Sequence, residues 1–190
     1  MYFRRHCNIV APKTSSIMKS HSKAKFLEAY EQYADAIFRH CYFRVFNRER
    51  AKEIMQETFM KTWEVIAGGE KIRNLRAFLY RVVNNLIIDE ARKRKELSLD
   101  KLEQEGFDAP ALTIQADHLE NLIEIKALSQ ILNKLDSKDR EVIVLRYLDD
   151  LSIKEAAQIL GESENNVSVR LHRALGKARK ILNETSEYER

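Results

Sequence analysis

From Phe26 onward the apolar residues Phe26, Tyr30, Tyr33, Ile37 and Cys41 recur at three- and four-residue intervals, the spacing that lines one face of a helix. Ile54, Met55, Phe59, Trp63 and Ile66 repeat the pattern and predict a second helix, which Gly68 and Gly69 bring to a stop. Asn74 opens a third, with Leu75, Phe78, Leu79, Val82, Val83 and Leu86 as its core stripe. Its basic end, Arg92-Lys93-Arg94-Lys95, suits the negative pole of a helix C-terminus. Between about Leu97 and Asp117 the periodicity disappears, Gly106 and Pro110 intervene, and acids dominate, as expected of a linker.

Helical spacing returns with sharper punctuation. Leu119 to Leu132 predicts one amphipathic helix, Ser137 is the expected cap of a second through Leu148, and Ser152-Ile153-Lys154-Glu155 has the spacing of a capping box that opens a third. Ser163 caps a fourth. Between the last two lies Leu160-Gly161-Glu162, a short connection of the helix-turn-helix kind. Ile153, Ala156, Ala157, Ile159, Leu160, Val167, Leu171 and Ala174 would pack the two helices together, the small alanines permitting close approach.

The expected fold is therefore all-α: two small helical domains joined by a flexible acidic linker, the C-terminal one a helix-turn-helix. The expected boundaries are a disordered tail over 1–22, a first domain over 23–96, the linker over 97–117, a second domain over 118–184 and a C-terminal tail over 185–190. Met18 is a second candidate start. Five glycines and two prolines leave few turns for a β architecture. The net charge of +4 says little about partners, because basic and acidic blocks alternate along the chain. Cys7 and Cys41 lack metal-ligand or disulfide-framework spacing, which suits a reducing cytoplasm. No apolar run is long enough to span a bilayer, so membrane insertion is not expected.

Three faces carry candidate chemistry. On the last helix the core stripe leaves Asn165, Asn166, Val169, His172 and Arg173 pointing away from the core. Asn pairs bidentately with adenine, Arg with guanine, and Val touches a thymine methyl. Arg170, Lys177, Arg179 and Lys180 are suited to phosphates. On the third helix Tyr80, Arg81, Asn84, Asn85, Ile88 and Arg92 are expected opposite the core stripe, a mixture suited to stacking and neutralising an unstacked strand. On the second helix Glu53, Gln56, Glu57 and Met60 form an acidic strip whose exposed methionine fits a protein partner. No HExxH, phosphate-cradling glycine loop or nucleophile elbow occurs, and the histidines are scattered singly. No enzyme activity, cofactor or metal is expected. A free-standing dimeric repressor or activator would use the C-terminal helices but leave the first domain without a role. A metal-dependent nuclease would have only Glu53 and Glu57 to work with.

The segment Ala51-Lys52-Glu53-Ile54-Met55-Gln56-Glu57-Thr58-Phe59, ending in Trp63, resembles the part of bacterial sigma factors that grips the clamp helices of RNA polymerase. Leu75 to Asp89 resembles the promoter-melting, −10-binding helix of that family, and Ser137 to Ala174 its −35-binding domain. Three motifs in family order identify the chain as resembling the extracytoplasmic-function type of the sigma-70 family, over about Lys25 to Leu182. The resemblance implies a bacterial, cytoplasmic initiation factor, monomeric when free, that binds core RNA polymerase and promoter DNA, with an anti-sigma factor as a candidate regulator. It implies core polymerase binding by Glu53, Gln56, Glu57 and Met60, and −10 contact by Tyr80, Arg81, Asn84, Asn85, Ile88 and Arg92. Asn165, Asn166, Ser168, Val169, Arg170, His172, Arg173 and Lys177 are the implied −35 contacts. By the same resemblance, Ala67 to Asn74 is the loop that captures a flipped −10 base. The chain departs from the family pattern at Arg50 and Lys52, where acids are usual, at Phe78 in place of Trp, and at Asn165-Asn166 and Ser168-Val169 in place of Gly-Thr and Lys-Ser.

Overall fold

A computed structural model describes residues 16–97 and 119–188, with side chains over 22–93 and 125–184. Among the described residues every regular element is a helix: α1 (Ser16–Val45), α2 (Arg48–Ala67), α3 (Leu75–Leu97), α4 (Leu119–Lys134), α5 (Ser137–Ile143), α6 (Ile153–Leu160) and α7 (Glu164–Tyr188). α5 runs into a π-helical turn over Val144–Leu148. The acidic linker and most of the N-terminal tail lie outside the described residues; α1 begins at Ser16, within the stretch expected as tail.

In the first half, α1 packs against α2 and α3, and α2 against α3. The α1–α2 corner is made by Phe46 in a left-handed conformation (φ 52°), after which the Asn47 side chain accepts the Arg50 N–H at 2.8 Å and caps α2. Ile37, Cys41, Ile54, Phe59, Leu79 and Val83 are buried together. Tyr30, expected on the buried stripe of α1, is instead partly exposed and lies edge-on to Phe59, their ring centroids 4.8 Å apart. Thr58 and Thr62 sit inside the core because each hydroxyl donates to the carbonyl one turn back, Ile54 O and Thr58 O, at 2.8 Å. α2 ends at the glycine pair, where Gly69 takes φ 84°, and Asn74 caps α3 by accepting the Ala77 N–H at 3.0 Å.

In the second half, α7 packs on α4, α5 and α6. The cap of α5 is Asp136 and not Ser137: its carboxylate accepts the Asp139 N–H at 3.0 Å. Asp and Ser are both capping residues, and the aspartate one position earlier takes the role while also meeting Lys177. Ser152 and Glu155 form the reciprocal capping box of α6, and Ser163 accepts the Asn166 N–H at 3.2 Å. The tight turn between α6 and α7 rests on Gly161, whose φ of 69° only glycine adopts without strain.

The two halves are packed together. α3 touches α6, and α1 touches α5 and the π-helical turn, so buried apolar residues run from one half into the other as one cluster.

Candidate functional site

α7 presents one side to solvent because Val167, Leu171 and Ala174 are drawn into the core. Asn165, Asn166, Ser168, Val169, His172 and Arg173 are all exposed on the helix that follows the Gly161 turn. Two of the expected phosphate contacts have protein partners. Arg170 donates to Glu162 at 2.6 Å, and Lys177 donates to Asp136 at 2.9 Å and to Asp139. The Lys177 ammonium, with the Asp139 N–H, holds the Asp136 carboxyl down to about 2.

α3 is arranged differently. Arg81, Asn85, Ile88 and Arg92 are exposed, Ile88 by 51 %. Tyr80 and Asn84 are not on that side: they are 1 % and 2 % exposed. The expected face is thus split, because α3 is covered by α1 and α2 and also by α6. The Tyr80 ring meets His40 edge-on with centroids 5.4 Å apart, and burial together with the Asp149 carboxylate pushes its phenol well above the usual range. Arg76, one turn earlier, donates to the backbone carbonyl of Asp149.

Glu53, Gln56, Glu57 and Met60 are all exposed on α2, Met60 by 65 %. Beside them a shallow, largely apolar groove of about 560 Å³ is walled by Phe26, Leu27 and Tyr30 of α1 and by Gln56, Phe59, Met60 and Trp63 of α2. Leu27 and Tyr30 extend the strip beyond the residues the sequence singled out; their spacing gives no sign of it, since Tyr30 fits a core position. Arg50, which departs from the family pattern, has a structural partner: it donates to Glu90 on α3 at 2.9 Å and pairs with Glu53, bracing α2 against α3. The loop after α2 forms one wall of a cavity of about 880 Å³, with Glu70, Lys71 and Arg73 facing Lys25, Gln32 and Tyr33 of α1.

Sequence reasoning missed the surface where the halves meet. His40 Nδ1 lies 2.7 Å from Asp149 Oδ2 with both side chains fully buried, and Arg44 Nη1 lies 2.8 Å from Glu141 Oε1. Arg140 donates from Nε to Leu132 O at 2.8 Å, from Nη1 to Arg44 O at 3.1 Å and from Nη2 to Leu135 O at 3.0 Å, and stacks 4.6 Å above the Phe46 ring. Burial, and then the neighbouring Arg44, lower its guanidinium to about 10. Among the described residues no three His, Cys, Asp or Glu gather to hold a metal ion, and no helix is long and apolar enough to cross a membrane.

A family model described as Sigma-70 region 2 matches residues 29–96, and one described as Sigma-70, region 4 matches residues 125–177. The chain is 32% identical over 178 residues to the ECF RNA polymerase sigma factor SigW of Bacillus subtilis, covering 87% of this chain and 92% of that one. It is 28% identical to the RNA polymerase sigma factor YlaC of the same organism, over 86% of this chain and 95% of that one. The sigma factor RpoE of Bartonella quintana, solved with the anti-sigma factor NepR, shares the fold with a TM-score of 0.69 at 24% identity, covering 84% of this chain and 97% of that one.

Proposed function

Because this chain belongs to the sigma-70 family as an RNA polymerase sigma factor of the extracytoplasmic-function group, we propose that its two halves divide the work of promoter recognition between the faces described above. The observation that carries this is the solvent-facing set Asn165, Asn166, Ser168, Val169, His172 and Arg173 on the helix after the Gly161 turn. That helix enters the major groove of the −35 element, where amide and guanidinium groups pair with base edges and Val169 meets an apolar edge. Arg170 and Lys177 flank it as phosphate contacts once they exchange their carboxylate partners for DNA.

The acidic strip Glu53, Gln56, Glu57 and Met60, with its adjoining apolar groove, docks on core RNA polymerase. Arg81, Asn85, Ile88 and Arg92, together with Tyr80 and Asn84, take the −10 strand as it leaves the duplex. The cavity beside loop 68–74 receives one flipped base, and contacts to that base offset the few kcal/mol of unstacking, roughly speaking. The chain brings no catalytic chemistry or cofactor of its own; nucleotide addition stays with the polymerase. It acts in the bacterial cytoplasm, is monomeric when free, and is open to capture by an anti-sigma protein, as the Bartonella relative was crystallised.

Run-off transcription with purified core polymerase tests this reading, using genomic fragments upstream of the chain's own gene. Initiation that requires the protein and disappears in Gln56→Ala/Glu57→Ala is expected. Duplex binding without polymerase-dependent initiation would sink the assignment of these faces.

A further inference from the structure

The base-reading side of α7 and its edge differ in how their cations are held. Arg173, assigned to a base, is exposed, and among the described residues no carboxylate pairs with it. Arg170 and Lys177, assigned to phosphates, stand seven residues apart, two turns along one edge of the helix, and both are already paired. Arg170 Nη2 is met by both oxygens of Glu162, one of them at 2.6 Å. Lys177 donates to Asp136 at 2.9 Å and to Asp139. The acids reach this edge from two places: Glu162 from the turn that leads into α7, Asp136 and Asp139 from the cap and first turn of α5. Two cations therefore face three carboxylates where a phosphate strand would run.

Stability does not account for the charges. Lys177 and Asp136 are each more than half exposed, and an ion pair so open to water adds little. Capping does not require them either, since an asparagine would cap α5 as well as Asp136 does. Their effect falls on DNA. Sequence-independent affinity for duplex comes from cations that neutralise phosphates and release condensed counterions. A cation that arrives with its own carboxylate is half of a neutral pair. To meet a phosphate it must leave that acid bare beside a polyanion, and the repulsion cancels much of the gain. Asp139 sharpens this: its side chain is only 9 % exposed, so water compensates it poorly for the loss of Lys177.

We infer that Glu162, Asp136 and Asp139 form a charge brake on α7. They cancel the phosphate attraction of Arg170 and Lys177, so that duplex binding through this helix draws mainly on base contacts and depends little on salt. Arg179 and Lys180, exposed further along α7, supply the sequence-independent attraction that remains. The inference rests on the reading of α7 as the −35 helix.

The test is a set of fluorescence anisotropy titrations of the full-length chain with the −35 duplex and with a scrambled duplex, between about 50 mM and about 200 mM salt. Glu162→Gln keeps the size of the side chain and removes its charge. It should tighten binding to both duplexes several-fold at the lowest salt and steepen the dependence of log affinity on log salt by about 0.9, the share of one phosphate contact. Asp136→Asn should act in the same direction and less, because Asp139 still holds Lys177. Two further variants tie the effect to the pair. Glu184→Gln removes the same charge near the far end of α7 and should leave the slope as it is. In an Arg170→Gln background, Glu162→Gln should add nothing. Weaker binding by Glu162→Gln would mean that the acid orients Arg170 for DNA, and it would overturn the brake; so would an unchanged slope, or the same gain without Arg170. Where binding is too weak to titrate, the salt at which each form leaves a column of immobilised duplex DNA gives the same comparison. Equal wild-type affinity for the two duplexes counts against the −35 assignment, whereas the slopes decide the brake on either duplex.

Discussion

α7 and α3 are both helices proposed to meet DNA, and they are prepared for it differently. α7 packs on three short helices of its own half and leaves a continuous polar side in water. α3 is packed by α1, α2 and α6, and two of its candidate contacts, Tyr80 and Asn84, are among the least exposed of the described residues. A reader of intact duplex needs a preformed surface. A helix that holds melted strand meets its ligand only after other events, and its surface can be kept covered until then.

The comparison breaks most visibly on α7. Asn165→Ala/Arg173→Ala should weaken binding to −35 duplex by about 30-fold or more, at 1–3 kcal/mol for each base-reading side chain. Both residues are exposed, so thermal melting should not move; unchanged affinity in a fluorescence anisotropy titration would remove α7 from the groove. Next in size is Gly161→Ala. The left-handed backbone there should cost about 1–2 kcal/mol, although a Cβ would meet nothing within 4 Å. Gly176→Ala, in open space inside α7, should instead stabilise by about 0.5–1 kcal/mol. Denaturant midpoints of the two variants moving the same way would contradict the turn geometry.

On α3, Asn85→Ala should leave stability within about 0.5 kcal/mol of wild type. It should lower affinity for a −10 single strand only several-fold, because part of that face is covered in the free chain. A loss as large as that seen for the α7 variant would mean that α3 is no less accessible than α7. The smallest effect is one of pH. Asp136 is held at about 2 against its ordinary 3.8, so its contribution to stability is complete above pH 3.8 and is lost as pH falls toward 2. The carboxylate is more than half exposed, and solvent screening keeps the change small. Melting curves between pH 3.8 and about pH 2 should show a slope that Lys177→Ala flattens.

The elements that could be read from the residues are those whose partners are near in sequence. The Ser152–Glu155 capping box, the Asn74 and Ser163 caps, the glycine stop after α2 and the core stripe of α7 all follow from spacings of three or four. So do the exposed residues of α2. The π-helical turn at Val144–Leu148 leaves no such mark, since its residues also suit an α-helix. Asp136 displaced Ser137 as a cap because two capping residue types stand side by side. The meeting of the halves was illegible for a different reason. His40, Arg44, Glu141 and Asp149 are residue types that ordinarily face water, and nothing local marks them for burial. Tyr80 and Asn84 were misplaced for the same reason: a helical stripe of Leu79, Val83 and Leu86 accounts for one neighbouring surface, and α3 has more than one.

The corner at Phe46 bears on how the chain divides. A bulky residue with φ 52° is strained by itself, and here the guanidinium of Arg140 lies over its ring. A turn in the first half is therefore propped in part by the second, beside the edge-on ring of Tyr42. Any dissection made at the linker, however natural it looks on a domain diagram, takes this cation away from the hinge, which keeps the edge-on ring of Tyr42 from its own half. The unit of inheritance and the unit of stability in this chain have different borders.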